Sequence, residues 1–437
     1  MANQRGWRYL IVALLVLLVI AVYLQDSVFS TKSAEYVKDF LKTHASPDQT
    51  ASAIDSSFDE TELAQPSFDL PIDPPNEPPA SSIDGTTPPA VEENTGYMPD
   101  KLFFELELDG FALPSFDTSK LRTLPPHNYK GQGHPTFAAF FLSRNSSLHD
   151  PYFLSTHQVI YRLLWKSDTK SATHPVVVFV APFVPDEIRA SFQAAGALVR
   201  EVETIPFHPE TAPDGNLLAH RFRDVFTKLQ MWSQTDFSRI AFLDSDAYPL
   251  VNIDALLDDQ TLIPDQTCRA HLLQEEDVPH TDELCPYVFT GARDLGFSDM
   301  VNAGVMVLSP NTAMYTLLMR ERQNTSNYDP GYPEQAFLSH IFRPDGPFPA
   351  GQISSAWNGD PKVKVDGGEL YILHAKLWVI GMGGHGGGES QGEGKAAWLD
   401  GMFSNTWEEL RGFYEGEAFL KLREMDGVLV EEEGLQQ

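Results

Sequence analysis

Cysteine is nearly missing from this 437-residue chain: there are two, Cys268 and Cys285. Two cysteines alone cannot make a structural zinc site. They leave two readings open, one disulfide closing a surface loop in an oxidising compartment, or two buried thiols. Basic residues are scarce as well, with 31 Lys and Arg against 61 Asp and Glu and a formal net charge of −30. That balance argues against nucleic acid or an anionic membrane surface as a partner. It says nothing against a nucleotide, which a metal can hold. Between Lys42 and Lys101 there is no Lys or Arg at all. No internal repeat is evident.

What is present begins with an uncharged run. Residues 9–24 carry no charge, and with Trp7 ahead of them they are just long enough to cross a bilayer as a helix. Arg5 and Arg8 precede the run and the first acidic residue, Asp26, follows it. Positive-inside logic then puts residues 1–8 in the cytosol and the rest in a lumen. A cleaved signal peptide is the other reading. The length of the run and the want of a nearby small-x-small site favour an uncleaved signal anchor, hence a type II single-pass membrane protein. Residues 25–130 read as an acidic, Pro-rich, disordered stem, typified by Leu70-Pro71-Ile72-Asp73-Pro74-Pro75-Asn76-Glu77-Pro78-Pro79. Such a composition cannot bury enough apolar surface to offset its ordering entropy. Within it, residues 102–113 fit either a strand or the start of the folded part. Asn145-Ser146-Ser147 and Asn324-Thr325-Ser326 are N-glycosylation acceptors under the lumenal reading.

Residues 131–430 are enough for one large α/β domain. Strands are expected at 137–142, 176–180 and 198–205, the first two as short continuous apolar segments. Helical spacing at 152–166 and first-turn acids at 185–197 fill the intervals. A helix at 221–233 leads into the strand that ends at Asp244. This alternation predicts a mostly parallel sheet. Later elements are a short helix at 253–257, a strand at 268–273, a strand at 300–308 broken by Gly304, helices at 312–322 and 334–342, and a strand at 370–374 that delivers His374. Glycine inside a strand pattern marks the close approach of a ligand or another backbone.

The chemistry centres on Asp244-Ser245-Asp246. Composition alone supplies about two such triplets by chance, and a solvated loop would explain this one. Its place changes the reading, because ligands bind at the carboxyl ends of strands in open α/β sheets. Two carboxylates held side by side repel unless a cation lies between them. Their hard oxygens suit Mg²⁺ or Mn²⁺.

Further motifs follow in order: Lys228 on the preceding helix, then Asn302-Ala303-Gly304, Glu334-Gln335, Trp357-Asn358 and His374. This series, and above all Arg239-Ile240-Ala241-Phe242-Leu243-Asp244-Ser245-Asp246 with Asn252-Ile253-Asp254, resembles the glycogenin-like family 8 retaining glycosyltransferases of the GT-A fold. The resemblance covers residues 136–378. It implies a GT-A nucleotide-diphospho-sugar transferase domain that moves a hexose or N-acetylhexosamine from a UDP-sugar donor to a glycan or glycoprotein. It implies Asp244, Asp246 and His374 as ligands of Mn²⁺ (or Mg²⁺). Lys228, Ser245, Asn302, Ala303, Gly304 and Lys376 are implied on the donor side, and Glu334 and Gln335 near the reacting carbon. The chain departs from the family pattern at Glu334, where Asp is usual, at Ala336, where Gly is usual, and in the short His374-Ala375-Lys376-Leu377-Trp378 ending. Those departures keep a non-catalytic glycan-binding protein in view as the alternative. A phosphotransferase with an aspartate nucleophile fits less well, because the triplet follows three β-α units and continues Ala247-Tyr248-Pro249.

Overall fold

The computed structural model describes residues 107–207, 222–294, 300–361, 368–380, 398–399 and 401–434. All of these fall in one compact unit, Glu92–Gln437. The expected anchor at 9–24, the stem up to residue 106 and the glycine-rich run 381–388 lie outside the described residues. Among the described residues no helix is long and apolar enough to cross a membrane.

A seven-stranded sheet runs through the unit. In chain order its members are β1 (Thr136–Phe141), β2 (Val176–Val180), β3 (Leu198–Glu201), β4 (Ile240–Leu243), β6 (Phe289–Arg293), β7 (Val301–Leu308) and β8 (Gly351–Ile353). The spatial order is β3-β2-β1-β4-β7-β6-β8. The first four strands pair in parallel, β7 runs antiparallel to both β4 and β6, and β8 is parallel to β6. The fold is therefore α/β with a mostly parallel sheet. A two-stranded ribbon of β5 (Ala247–Pro249) and β9 (Ile372–His374) stands beside it.

The apolar runs form strands because both faces of the sheet are covered. Every residue of β1, β2 and β4 is buried. Phe137 and Phe141 point into one core, with the helices Pro151–Leu164, Asp186–Ala194 and Met402–Tyr414. Ala138 and Phe140 point into the other, with Val225–Ser233, Thr312–Glu321 and Pro333–Ile341. The Pro151–Leu164 helix starts where its sequence dictates. The Asp150 carboxylate accepts from the Tyr152 N–H at 2.8 Å, and Pro151 takes the first turn, where no amide partner is needed.

Four expectations change. Residues 107–130, read from composition as stem, are folded. Leu108 and Leu121 are buried, Phe111 meets Phe403 edge-on at 5.4 Å, and Trp407 donates to the Ala112 carbonyl at 2.8 Å. A few well-placed aromatics anchor this segment, which a compositional average cannot register. The helix before β4 is a 3₁₀ helix, Val225–Ser233. The expected strand at 268–273 is instead a turn of 3₁₀ helix, Ala270–Leu272, inside a loop closed by the Cys268–Cys285 disulfide. The short helix after the aspartates is Ala255–Asp258, a little later than its apolar residues suggest. The pair of helices Met402–Tyr414 and Glu417–Gly434, which cover the first core from the C-terminal side, was not anticipated.

Candidate active site

The aspartate pair sits where β4 ends. The Asp244 N–H donates to the Gly304 carbonyl at 2.8 Å, extending the β4–β7 ladder by one bond. The chain then turns and enters β5, whose Ala247 pairs with His374 of β9. The Ala375 N–H donates to the Asp246 carbonyl at 3.0 Å. Backbone bonds alone thus bring His374 to the aspartates. Ser245 does not join them: its hydroxyl donates to the Phe140 carbonyl at 3.0 Å and accepts from the Thr156 hydroxyl at 3.0 Å. Expected on the donor side, its buried side chain is committed to the interior and fixes the backbone between the two carboxylates.

Asp244, Asp246 and His374 each offer one ligand atom, and these atoms lie within 4.8 Å of one another. The His374 Nε2 is 3.3 Å from Asp246 Oδ1 and 3.9 Å from Asp244 Oδ2. Two carboxylates and an imidazole at these separations fit a divalent cation of the Mn²⁺ or Mg²⁺ kind. Gly304 makes the approach possible, since a Cβ there would meet the His374 Cε1 at 2.0 Å. The close approach expected at this glycine is thus a histidine ring.

Two lysines flank the trio. Lys228 reaches Asp244 Oδ1 at 2.9 Å and Glu334 Oε1 at 2.7 Å. Lys376 reaches Asp246 Oδ2 at 2.6 Å. Burial pushes each ammonium toward the neutral form, but the adjacent carboxylates outweigh it and hold both above the ordinary lysine value. For Asp246 burial again opposes charge, and Lys376 and His374 together hold the carboxyl well below its usual range. Burial pulls the His374 imidazole down, and Asp246 more than reverses it. Glu334 goes the other way: burial raises its carboxyl and Lys228 only partly offsets this.

The third part is a net of side-chain amides. Asn302 on β7 donates to Asp294 Oδ2 at 2.8 Å and accepts from the Gly304 N–H at 2.9 Å. Gln335 donates to the same Asp294 oxygen at 3.0 Å and accepts from the Ala303 N–H at 3.2 Å. Asn358 donates to Asn302 Oδ1 at 2.9 Å and lies 2.9 Å from the His374 Nδ1. Glu334 and Gln335 come from the first turn of Pro333–Ile341, where the proline opens the helix. The structure therefore gathers Lys228, Asp244, Asp246, Asn302, Ala303, Gly304, Glu334, Gln335, His374 and Lys376 into one connected cluster. The sequence order contains Asn358 but assigns it no task, and Asp294 escapes notice because a lone aspartate after a strand has no spacing signal.

No family model matches the sequence. The chain is 29% identical over 217 residues to galactinol synthase 7 of Arabidopsis thaliana, covering 47% of this chain and 63% of that protein. It is 27% identical over 177 residues to the glycogenin of Neurospora crassa, covering 40% of this chain and 21% of that protein. It thus spans under two thirds of the first and about a fifth of the second. The solved glycosyltransferase GlyE of Streptococcus pneumoniae aligns with 64% of this chain and 63% of its own at a TM-score of 0.38 and 14% identity, a likeness too loose to carry an argument. By sequence, this chain is similar to glycosyltransferases.

Proposed function

We propose that this chain is a metal-dependent glycosyltransferase of GT-A architecture that moves a sugar from a nucleotide-diphosphate donor to a glycan or glycoprotein. The convergence of Asp244, Asp246 and His374 at the carboxyl end of β4 carries the reading. Breaking a sugar–diphosphate bond develops negative charge on the departing phosphate. A divalent cation held by Asp244, Asp246 and His374 would supply Lewis-acid neutralisation of that charge. Lys228, between Asp244 and Glu334, and Lys376, beside Asp246, add fixed positive charge beside it. Asn302, Ala303 and Gly304 form the wall against the donor sugar. Glu334 and Gln335 offer the polar, negative-leaning cradle that an oxocarbenium-like sugar needs.

The donor we propose is a UDP-linked hexose or N-acetylhexosamine, transferred with retention of configuration, as the glycogenin-like motifs imply. The placement we propose is lumenal, behind a type II anchor at residues 9–24 in the Golgi membrane. The uncharged run with Arg5 and Arg8 ahead of it supports this, as does the Cys268–Cys285 disulfide. Asn324 is exposed, as a glycosylation acceptor must be.

The test is to incubate the protein with Mn²⁺ and a panel of UDP- and GDP-sugars and follow release of the nucleoside diphosphate. Turnover of a UDP-sugar that stops on chelation is the expected result. No Mn²⁺-dependent turnover with any donor contradicts the reading. For the placement, glycosidase treatment of the chain from secretory cells should increase its gel mobility. Unchanged mobility together with free thiols at Cys268 and Cys285 contradicts a lumenal location.

A further inference from the structure

An imidazole can ligate a cation only through a nitrogen that carries no proton, and which nitrogen that is depends on what the other one faces. At His374 the answer is decided up to three side chains away. The Gly304 N–H is a donor and nothing else, so the Asn302 atom that it meets at 2.9 Å is the carbonyl oxygen. The other end of Asn302 is then its NH₂, and it lies 2.8 Å from the Asp294 carboxylate. Two independent groups, one donor and one acceptor, fix this amide the same way round. Asn358 meets the Asn302 oxygen at 2.9 Å, so it presents its own NH₂ there. Its oxygen is left for the His374 Nδ1, also at 2.9 Å. An amide oxygen only accepts, so Nδ1 carries the proton.

We propose that Asp294, Asn302 and Asn358 form a relay that locks His374 as its Nδ1–H tautomer and so keeps the Nε2 lone pair aimed at Asp244 and Asp246. The three are positioning residues, and the proposal rests on the metal-site reading only for the use to which that lone pair is put. The relay is rigidly held. Asn358 is buried, the His374 N–H donates to the Gly359 carbonyl at 2.8 Å, and Gly359 bridges to Leu373 of β9. Asp294 and Asn302 face each other across the β6–β7 pair, where the Asp294 N–H donates to the Met300 carbonyl at 2.8 Å. Gln335 repeats the logic. Its oxygen takes the Ala303 N–H and its NH₂ reaches Asp294, so the carboxylate is held by two amides of known orientation.

The competing tautomer, with the proton on Nε2, has something to gain from Asp246. That contact is long, 3.3 Å, and the other Asp246 oxygen is taken by Lys376 at 2.6 Å. Adopting it would set the Nδ1 lone pair against the Asn358 oxygen, or turn Asn358 over and set its oxygen against the Asn302 oxygen. Burial makes either mismatch costly, because water cannot reach the unsatisfied groups to relieve it.

The experiment is a nitrogen-15 spectrum of the metal-free, full-length protein at alkaline pH, where the imidazole is neutral. The His374 signals are identified by their loss in His374→Gln. The expected result is a protonated Nδ1 and a bare Nε2 in the wild type and in Asn358→Asp, which keeps an acceptor toward Nδ1. Asn358→Leu, which has none, should shift toward the Nε2–H form. Mn²⁺ binding, read by calorimetry without any donor, should weaken about 10- to 100-fold in Asn358→Leu and far less in Asn358→Asp. A protonated Nε2 in the wild type overturns the relay, as does an unchanged tautomer in Asn358→Leu. No Mn²⁺ binding by the wild type, with the tautomer as expected, overturns the metal site and leaves the relay standing.

Discussion

Gly304 and His374 are in such close contact that a single added carbon at 304 would lie 2.0 Å from the imidazole Cε1. One of the two must move if glycine is replaced. His374 is fixed through β9 and Asn358, so the strain falls on the site itself. Gly304→Ala should cut Mn²⁺ affinity by at least about 10-fold, the scale of losing orientation at a ligand. Calorimetric titration of the variant checks this, with circular dichroism confirming that β7 still forms. Unchanged affinity would show that the ring has room to spare.

Lys228 is the shared counter-ion of Asp244 and Glu334. Lys228→Met should lose about 3–5 kcal/mol of folding stability, because it strips the buried Glu334 and the half-buried Asp244 of their common counter-ion. Adding Glu334→Gln to that variant removes one of the two charges and should recover a substantial part of the loss. Chemical denaturation of the single and double variants measures it. Equal stability of the two variants contradicts the shared role.

Two buried groups on the Pro151–Leu164 helix and its cap set opposing pH slopes. Burial pushes the Asp150 carboxyl up to about 6 from 3.8. The folded state then binds the proton more tightly, so stability falls as pH rises from about 4 to about 6 and stays low above that. Burial pushes His157 down to about 3 from 6.5, so its contribution is full above the unfolded value and is lost as pH falls below it. Asp150→Asn keeps a helix cap and loses the charge. It should gain roughly 1–3 kcal/mol at neutral pH and keep only the histidine slope in acid. Denaturant midpoints across that pH range test the sign, and a variant no more stable than wild type at neutral pH contradicts it.

The disulfide closes a loop with a sequence separation of 17. Cys268→Ser with Cys285→Ser should lower stability by about 3 kcal/mol, the chain-entropy scale for a loop of that size. Neither cysteine belongs to the cluster of Asp244, Asp246 and His374, so Mn²⁺ binding should stay near the wild-type value. Thermal unfolding and titration of the double variant read the two effects separately.

The parallel half of the sheet was legible because burial on both faces writes itself as unbroken apolar runs, as in Val176–Val180 and Ile240–Leu243. Of the remaining strands only β7 was legible, as the run at 300–308. β6 is Phe-Thr-Gly-Ala-Arg and β8 is the three residues Gly-Gln-Ile, too polar and too short for periodicity to find. The helix Met402–Tyr414 did carry a signal, with Phe403, Trp407, Leu410 and Tyr414 buried along one face. At the site, the aspartates, Asn302-Ala303-Gly304 and His374 could be placed in order because each closes or interrupts a strand. That the Ser245 side chain turns inward could not be read, because a triplet does not say which of its members does so. Asp294 and the task of Asn358 depend on amide contacts between β6, β7 and β9, and no local pattern encodes those.

Under the proposed function, Asp246 helps to hold the cation on which donor cleavage depends. Donor turnover measured side by side for wild type and Asp246→Ala, each titrated with Mn²⁺, tests it most directly. The expected result is Mn²⁺-dependent turnover in the wild type and a loss of at least about 100-fold in the variant, the scale for removing a group that stabilises developing charge. Equal turnover in the two proteins, with the same Mn²⁺ dependence, contradicts the metal assignment.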